Sequence, residues 1–107
     1  TVVEPEAAPA LHDAIQAGSV VSATGPVSSM GRLDCKEASM IALNGLARDA
    51  DRFVLLSDDE VEDVMPDLAD LGLATTPSGG AGLAAALLGK VDLPSDARIL
   101  VILSEEA

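Results

Sequence analysis

The run Arg52-Phe53-Val54-Leu55-Leu56-Ser57 limits the possible folds more than any other stretch. Consecutive apolar residues in a strand point to alternate faces, so this one needs cover on both sides. That is the pattern of a strand inside a parallel sheet. Val2-Val3, closed by Glu4-Pro5, and Arg98-Ile99-Leu100-Val101-Ile102-Leu103 read the same way. Three parallel strands are therefore expected near residues 1–4, 53–57 and 99–103.

Segments of helical period lie between them. Ala7 to Ala17 carries Leu11, Ala14 and Ile15 on one stripe and stops at Gly18. Glu37 to Arg48 follows, with Met40, Ile41, Leu43 and Leu46 as its apolar face and Asp34 as a candidate N-terminal cap. Ser57 opens a third helix, with Glu60 completing a capping box and Val61, Val64, Met65, Leu68 and Leu71 turned inward. Pro66 inside that pattern predicts a kink or a break. Ser78 caps a fourth, Ala- and Leu-rich helix that ends at Gly89. Strands alternating with helices imply right-handed crossovers. The expected fold is α/β, a parallel sheet with helices on both faces, in a single domain over residues 1–107.

With one Phe and no Trp or Tyr, the core has to come from Ala, Val, Leu and Ile. Eighteen acidic residues against six basic ones leave a net charge of −12, which repels phosphate backbones and anionic lipid surfaces. Neither nucleic acid nor a membrane is expected as a partner. No apolar run approaches the length of a membrane span, and the expected location is the cytoplasm. Cys35, the single cysteine, has no partner for an internal disulfide. The chain opens in a strand without Met and closes just after another, from which a fragment of a longer protein is expected.

Thr75-Thr76-Pro77-Ser78-Gly79-Gly80-Ala81-Gly82 is the stretch with chemical potential. Small residues let a ligand approach the start of the helix, where free N–H donors and a positive partial charge favour a polar edge. Capped, Gly-rich helix starts are common, and a purely structural role stands beside the functional one.

In order, Ser57-Asp58-Asp59-Glu60, Leu68-Ala69-Asp70-Leu71-Gly72-Leu73 and Thr76-Pro77-Ser78-Gly79-Gly80-Ala81 resemble the closing segment of fold-type II pyridoxal-phosphate enzymes. These include the threonine and serine dehydratases, threonine synthase, cysteine synthase and tryptophan synthase β. Gly31-Arg32-Leu33-Asp34-Cys35-Lys36-Glu37 is most similar to the dehydratase and diaminopropionate ammonia-lyase branch. The resemblance covers nearly the whole chain but only the C-terminal third or so of such an enzyme.

It implies part of the large domain of a tryptophan synthase β-like enzyme, with pyridoxal 5′-phosphate as cofactor and an amino acid as substrate. The implied reaction eliminates ammonia, through a chain whose fragment is inactive alone and whose complete form is a homodimer. Ser78 is implied to hydrogen-bond the pyridine nitrogen, with Pro77 and Gly79 beside it. The loop Gly31, Arg32, Asp34 and Cys35 is implied as a wall on the substrate side. The Schiff-base lysine and the phosphate-binding loop belong to earlier parts of such enzymes. Neither Lys36 nor Lys90 has the context of that lysine, so no catalytic residue is assigned. The remainder of its own enzyme chain is therefore an implied partner, and an apolar patch around Val27, Met30 and Leu33 is expected to face it.

Some relatives bind a divalent cation at the Glu of a strand ending V-E-P. Glu4 matches, but Ala10 stands where they carry an acidic ligand, and no metal site is expected. His12 reads as a surface residue, and Asp58, Asp59, Glu60, Glu62 and Asp63 as acids that complement a helix N-terminus. Two other readings stay open: a threonine synthase-like enzyme, or a stand-alone α/β module that binds a phosphate or nucleotide at Gly79 to Gly82.

Overall fold

A computed structural model describes residues 1–107 throughout. The order is β1 (Val2–Pro5), α1 (Ala10–Ala17), a 3-10 turn over Gly31–Leu33, α2 (Met40–Asp49), β2 (Phe53–Leu56), α3 (Asp58–Asp70) and α4 (Pro77–Leu87). β1 and β2 pair in parallel, Val2 opposite Phe53 and Pro5 opposite Leu56. Val2 N–H donates to Arg52 O and Glu6 N–H to Leu56 O, both at 2.8 Å, closing the ladder at its two ends. α1 packs on both strands and carries α2, while α4 packs on both strands and carries α3.

The third expected strand does not form. Residues Arg98–Leu103 join no ladder, and their backbone makes no hydrogen bond within the chain. A strand exists only through its neighbour, and here Val3 of β1 and Ile99–Ile102 share the lining of a cavity of about 440 Å³ without pairing. The apolar character that suggested a buried strand is left in solvent: Leu100 is 92% and Ile102 77% exposed.

The main core joins Leu56 of β2, Val61, Val64 and Leu68 of α3, and Ala81, Ala84 and Ala85 of α4. Small residues on α4 let the two helices approach closely, as the scarcity of aromatics requires. Met30 completes this cluster with no exposed surface, and Leu33 packs against it. The expected apolar patch is thus corrected: of its three residues only Val27, 86% exposed, faces solvent. On α2, Leu43 alone is buried, and Met40 and Ile41 lie on the outside.

The caps explain where the helices begin. Glu4 accepts from Leu11 N–H at 2.9 Å and His12 N–H at 2.8 Å, so both its oxygens satisfy the first turn of α1. α2 starts after Ser39, whose hydroxyl accepts from Ala42 N–H, and not at Asp34. Ser57 and Glu60 form the reciprocal capping box at α3, which then runs through Pro66 without a break. α4 is capped by Thr76 and not by Ser78. Pro77 takes the first helical position, where its fixed φ suits the helix and no N–H is needed.

Candidate functional site

The Ser78 region is assembled from three parts of the chain. Thr76 Oγ1 accepts from Gly79 N–H at 3.0 Å and donates its own proton to Glu105 Oε2. Thr75 Oγ1 donates to Glu105 O at 2.6 Å, which fastens the C-terminal segment to the start of α4. The 3-10 turn comes in from the other side, and Arg32 N–H donates to Ser78 Oγ at 3.0 Å. Arg32 Nε then lies 3.3 Å from Glu105 Oε1. A closed circuit results: Ser78, Arg32, Glu105, Thr76, and back along the chain through Pro77.

Two of these contacts leave no room for larger residues. Gly79 is buried, and a Cβ there would lie 2.6 Å from Thr75 Oγ1 and 2.9 Å from Glu105 N. At Gly80 it would meet Thr75 Cγ2 at 2.9 Å and Met65 Cε at 3.0 Å. The glycines that look like a phosphate cradle are therefore spent on packing α4 against α3 and the C-terminal segment.

Ser78 itself is half-buried at the second position of α4. Its hydroxyl accepts one N–H, and its proton is not donated to any group of the chain. Its backbone N–H makes no bond within the chain and adds a second donor at the positive end of the helix. The Glu105 carboxylate, which belongs to the same circuit, is occupied by Arg32 and Thr76. Such a place suits an uncharged acceptor such as an unprotonated ring nitrogen. A pyridinium would be favoured by a free carboxylate, and that of Glu105 is already paired.

The expected substrate-side residues separate into two groups. Gly31 and Arg32 reach the Ser78 circuit through the 3-10 turn. Asp34 turns away: it bonds Lys36 Nζ and accepts from Ser28 N–H at 3.3 Å. The hydrogen bond from Lys36, followed by that from Ser28, holds the Asp34 carboxyl below its ordinary range. Cys35 is exposed and its side chain has no hydrogen-bond partner. Lys36 Nζ also donates to Ala7 O at 2.8 Å and Pro26 O at 2.7 Å, pinning the loop to the end of β1. Lys90 pairs with Glu60. No three His, Cys, Asp or Glu side chains gather as a metal site, and no helix is long and apolar enough to cross a membrane.

Sequence reasoning missed Glu105. It follows a stretch read as a strand and meets Thr76 from 29 residues away, so no local pattern could have announced it. His12, read as a surface residue, is partly exposed and pairs with its neighbour Asp13 at 3.0 Å.

The family described as "Pyridoxal-phosphate dependent enzyme" matches residues 1–105. The chain belongs to that family, whose cofactor is pyridoxal phosphate. Among solved structures, the chain is similar to the T.th. threonine deaminase, with a TM-score of 0.76 and 22% identity, over 86% of this chain and 34% of that one. It is also similar to maize serine racemase, with a TM-score of 0.71 and 25% identity, over 78% of this chain and 26% of that one. It thus spans about a third and about a quarter of the length of these two enzymes. The first likeness establishes the fold alone. No curated protein matches the sequence.

Proposed function

We propose that this chain is the C-terminal part of a pyridoxal-phosphate-dependent lyase that eliminates ammonia from an amino acid, of the dehydratase or diaminopropionate ammonia-lyase type. The carrying observation is the state of Ser78: its oxygen accepts Arg32 N–H, and its proton is free to be donated at a helix N-terminus. When bound, the cofactor supplies an electron sink, and the protein orients and tunes it. Ser78 and Pro77 would hold the nitrogen edge of the ring, with Gly79 keeping the helix start close to the C-terminal segment. A hydroxyl donor at that nitrogen leaves it unprotonated, and the positive end of α4 works in the same direction. The resulting milder sink suits an elimination, in which the leaving group carries the electrons away.

Two further observations support reading the chain as a part of the enzyme. Lys36 and Lys90, the only lysines, are both committed to partners inside the fold. Ile99, Leu100 and Ile102 are exposed and line an apolar cavity with Val3 of β1, a surface that further parts of the enzyme would cover. The substrate's carboxylate is left to residues outside this segment.

The test is a pair of substitutions in the complete enzyme. Ser78→Asp should protonate the ring nitrogen, shift the cofactor's absorption and impair ammonia release. Ser78→Ala should do less harm, because it removes the bond to the ring and the one from Arg32 N–H, each worth about 1 kcal/mol, and leaves the ring uncharged. Wild-type turnover and spectrum in both variants would reduce Ser78 to a packing residue and end this reading.

A further inference from the structure

We propose that Glu105 is a positioning residue for the Ser78 hydroxyl, holding it as a donor toward the cofactor ring. The inference rests on the reading of Ser78 given above.

Glu105 is placed to do this by three contacts. Its Oε2 takes the proton of Thr76, which orients the Thr76 oxygen to accept Gly79 N–H and so fixes the first turn of α4. Its Oε1 faces Arg32 Nε at 3.3 Å. The backbone N–H of that same Arg32 is the group that occupies Ser78 Oγ. Its own main chain is locked through Thr75 Oγ1 at 2.6 Å and lies against Gly79, which has no side chain to push it away. The Glu105 side chain, 27% exposed, therefore joins the two elements that meet at Ser78. The Arg32 side chain is 83% exposed and has no other carboxylate partner. Without Glu105 the exposed Arg32 side chain would lose its carboxylate partner, and the Arg32 N–H that orients the Ser78 hydroxyl would be held less firmly.

The carboxylate has an electrostatic role as well. A free carboxylate beside Ser78 would favour a protonated ring, opposite to what the helix start favours. Paired with Arg32 and Thr76, Glu105 fastens the site while its charge is compensated.

A double-mutant cycle in the complete enzyme loaded with pyridoxal phosphate separates this role from plain folding support. The variants are Glu105→Gln, Ser78→Ala and both together. The readouts are the cofactor's dissociation constant by equilibrium dialysis and the circular dichroism of its visible band. The amide of Glu105→Gln keeps an oxygen for Thr76 but loses the charge that draws in Arg32. It should weaken cofactor binding about three- to ten-fold and reduce the visible dichroism. With Ser78→Ala already present, the same change should alter binding less than about two-fold, because nothing remains to be oriented. Equal weakening in both backgrounds, or no weakening in either, would overturn the inference. Unchanged binding and dichroism in Ser78→Ala alone would instead remove the reading of Ser78, and the inference with it.

Discussion

The hydroxyl of Ser28 donates to Asp58 Oδ1 at 2.6 Å, joining a loop to the first residue of α3 across 30 positions of sequence. Ser29 N–H takes the other carboxylate oxygen at 2.9 Å, and Met30 N–H donates back to Ser28 Oγ at 3.1 Å. Asp58 thereby does two things. It complements the N-terminus of α3, and it seats Met30 in the core, bringing the 3-10 turn under Ser78.

Asp58→Ala should therefore loosen the loop and not merely a helix end. It leaves the buried Ser28 hydroxyl without its acceptor, at a cost of about 1–3 kcal/mol. Amide exchange at Ser29 and Met30 should accelerate at least about ten-fold, while amides in the middle of α2 stay unchanged. Uniform acceleration across the chain would mean that the clamp has no local role.

Two glycine substitutions should act in opposite directions. At Gly45, inside α2, an added Cβ meets nothing within 4 Å, so Gly45→Ala should stabilise by about 0.5–1 kcal/mol through lower backbone entropy in the unfolded chain. At Gly79 the same change gains helix propensity but drives a Cβ to 2.9 Å from Glu105 N and 2.6 Å from Thr75 Oγ1. The backbone of the C-terminal segment must shift, and the Thr75–Glu105 bond should open. Denaturant midpoints would rise for the first variant and fall for the second.

How much of this was legible in the sequence varies with the range of the contacts. β1, β2 and all four helices announce themselves through local apolar period and end signals, and the Ser57–Glu60 box was readable to the residue. Helix starts slipped where two capping residues compete: Thr76 and Ser78 flank Pro77, and the preference of proline for the first helical position decides for Thr76. Asp34 lost its capping role to Ser39 because Lys36, two residues on, captures its carboxylate. Arg98–Leu103 shows the limit of apolar runs. Such a run says that a segment wants cover, and not whether a neighbouring strand is there to supply it. Met30 lies in turn-rich sequence, and only its complete burial in the cluster that contains Leu56 and Leu68 marks it as core. The Ser78–Arg32 and Thr76–Glu105 contacts join residues 46 and 29 positions apart, a distance at which no periodic pattern operates.

Acid should weaken the start of α3 in a predictable direction. The hydrogen bond from Lys90, then that from Ser57 N–H, holds the Glu60 carboxyl below its ordinary value of 4.5. A carboxyl depressed in the folded state stabilises fully above the unfolded value and loses that contribution as pH falls through the folded one. Glu60→Gln should therefore be less stable than the parent at pH 7, and the difference should shrink toward zero as pH drops below 4.5. Denaturant midpoints of both proteins at several pH values would show this. A difference that does not change with pH would assign Glu60 a steric role only.

The two lysines support the last prediction. A lysine that joins covalently to pyridoxal phosphate needs a free, unprotonated amine held against the reacting carbon. Lys36 Nζ is engaged by three acceptors, Ala7 O, Pro26 O and Asp34, which hold it inside the fold. Lys90 Nζ is paired with the Glu60 carboxylate. To react, either one must give up a bond that ties distant elements together: the loop to β1 in one case, α3 to the end of α4 in the other. Mixed with pyridoxal phosphate and treated with borohydride, the 107-residue chain should therefore show no stoichiometric labelling at either position and no amino-acid-dependent ammonia release. Peptide mapping would locate any label. One full equivalent on Lys36 or Lys90, accompanied by ammonia release, would make this chain a complete enzyme and would overturn its reading as one part of a larger site.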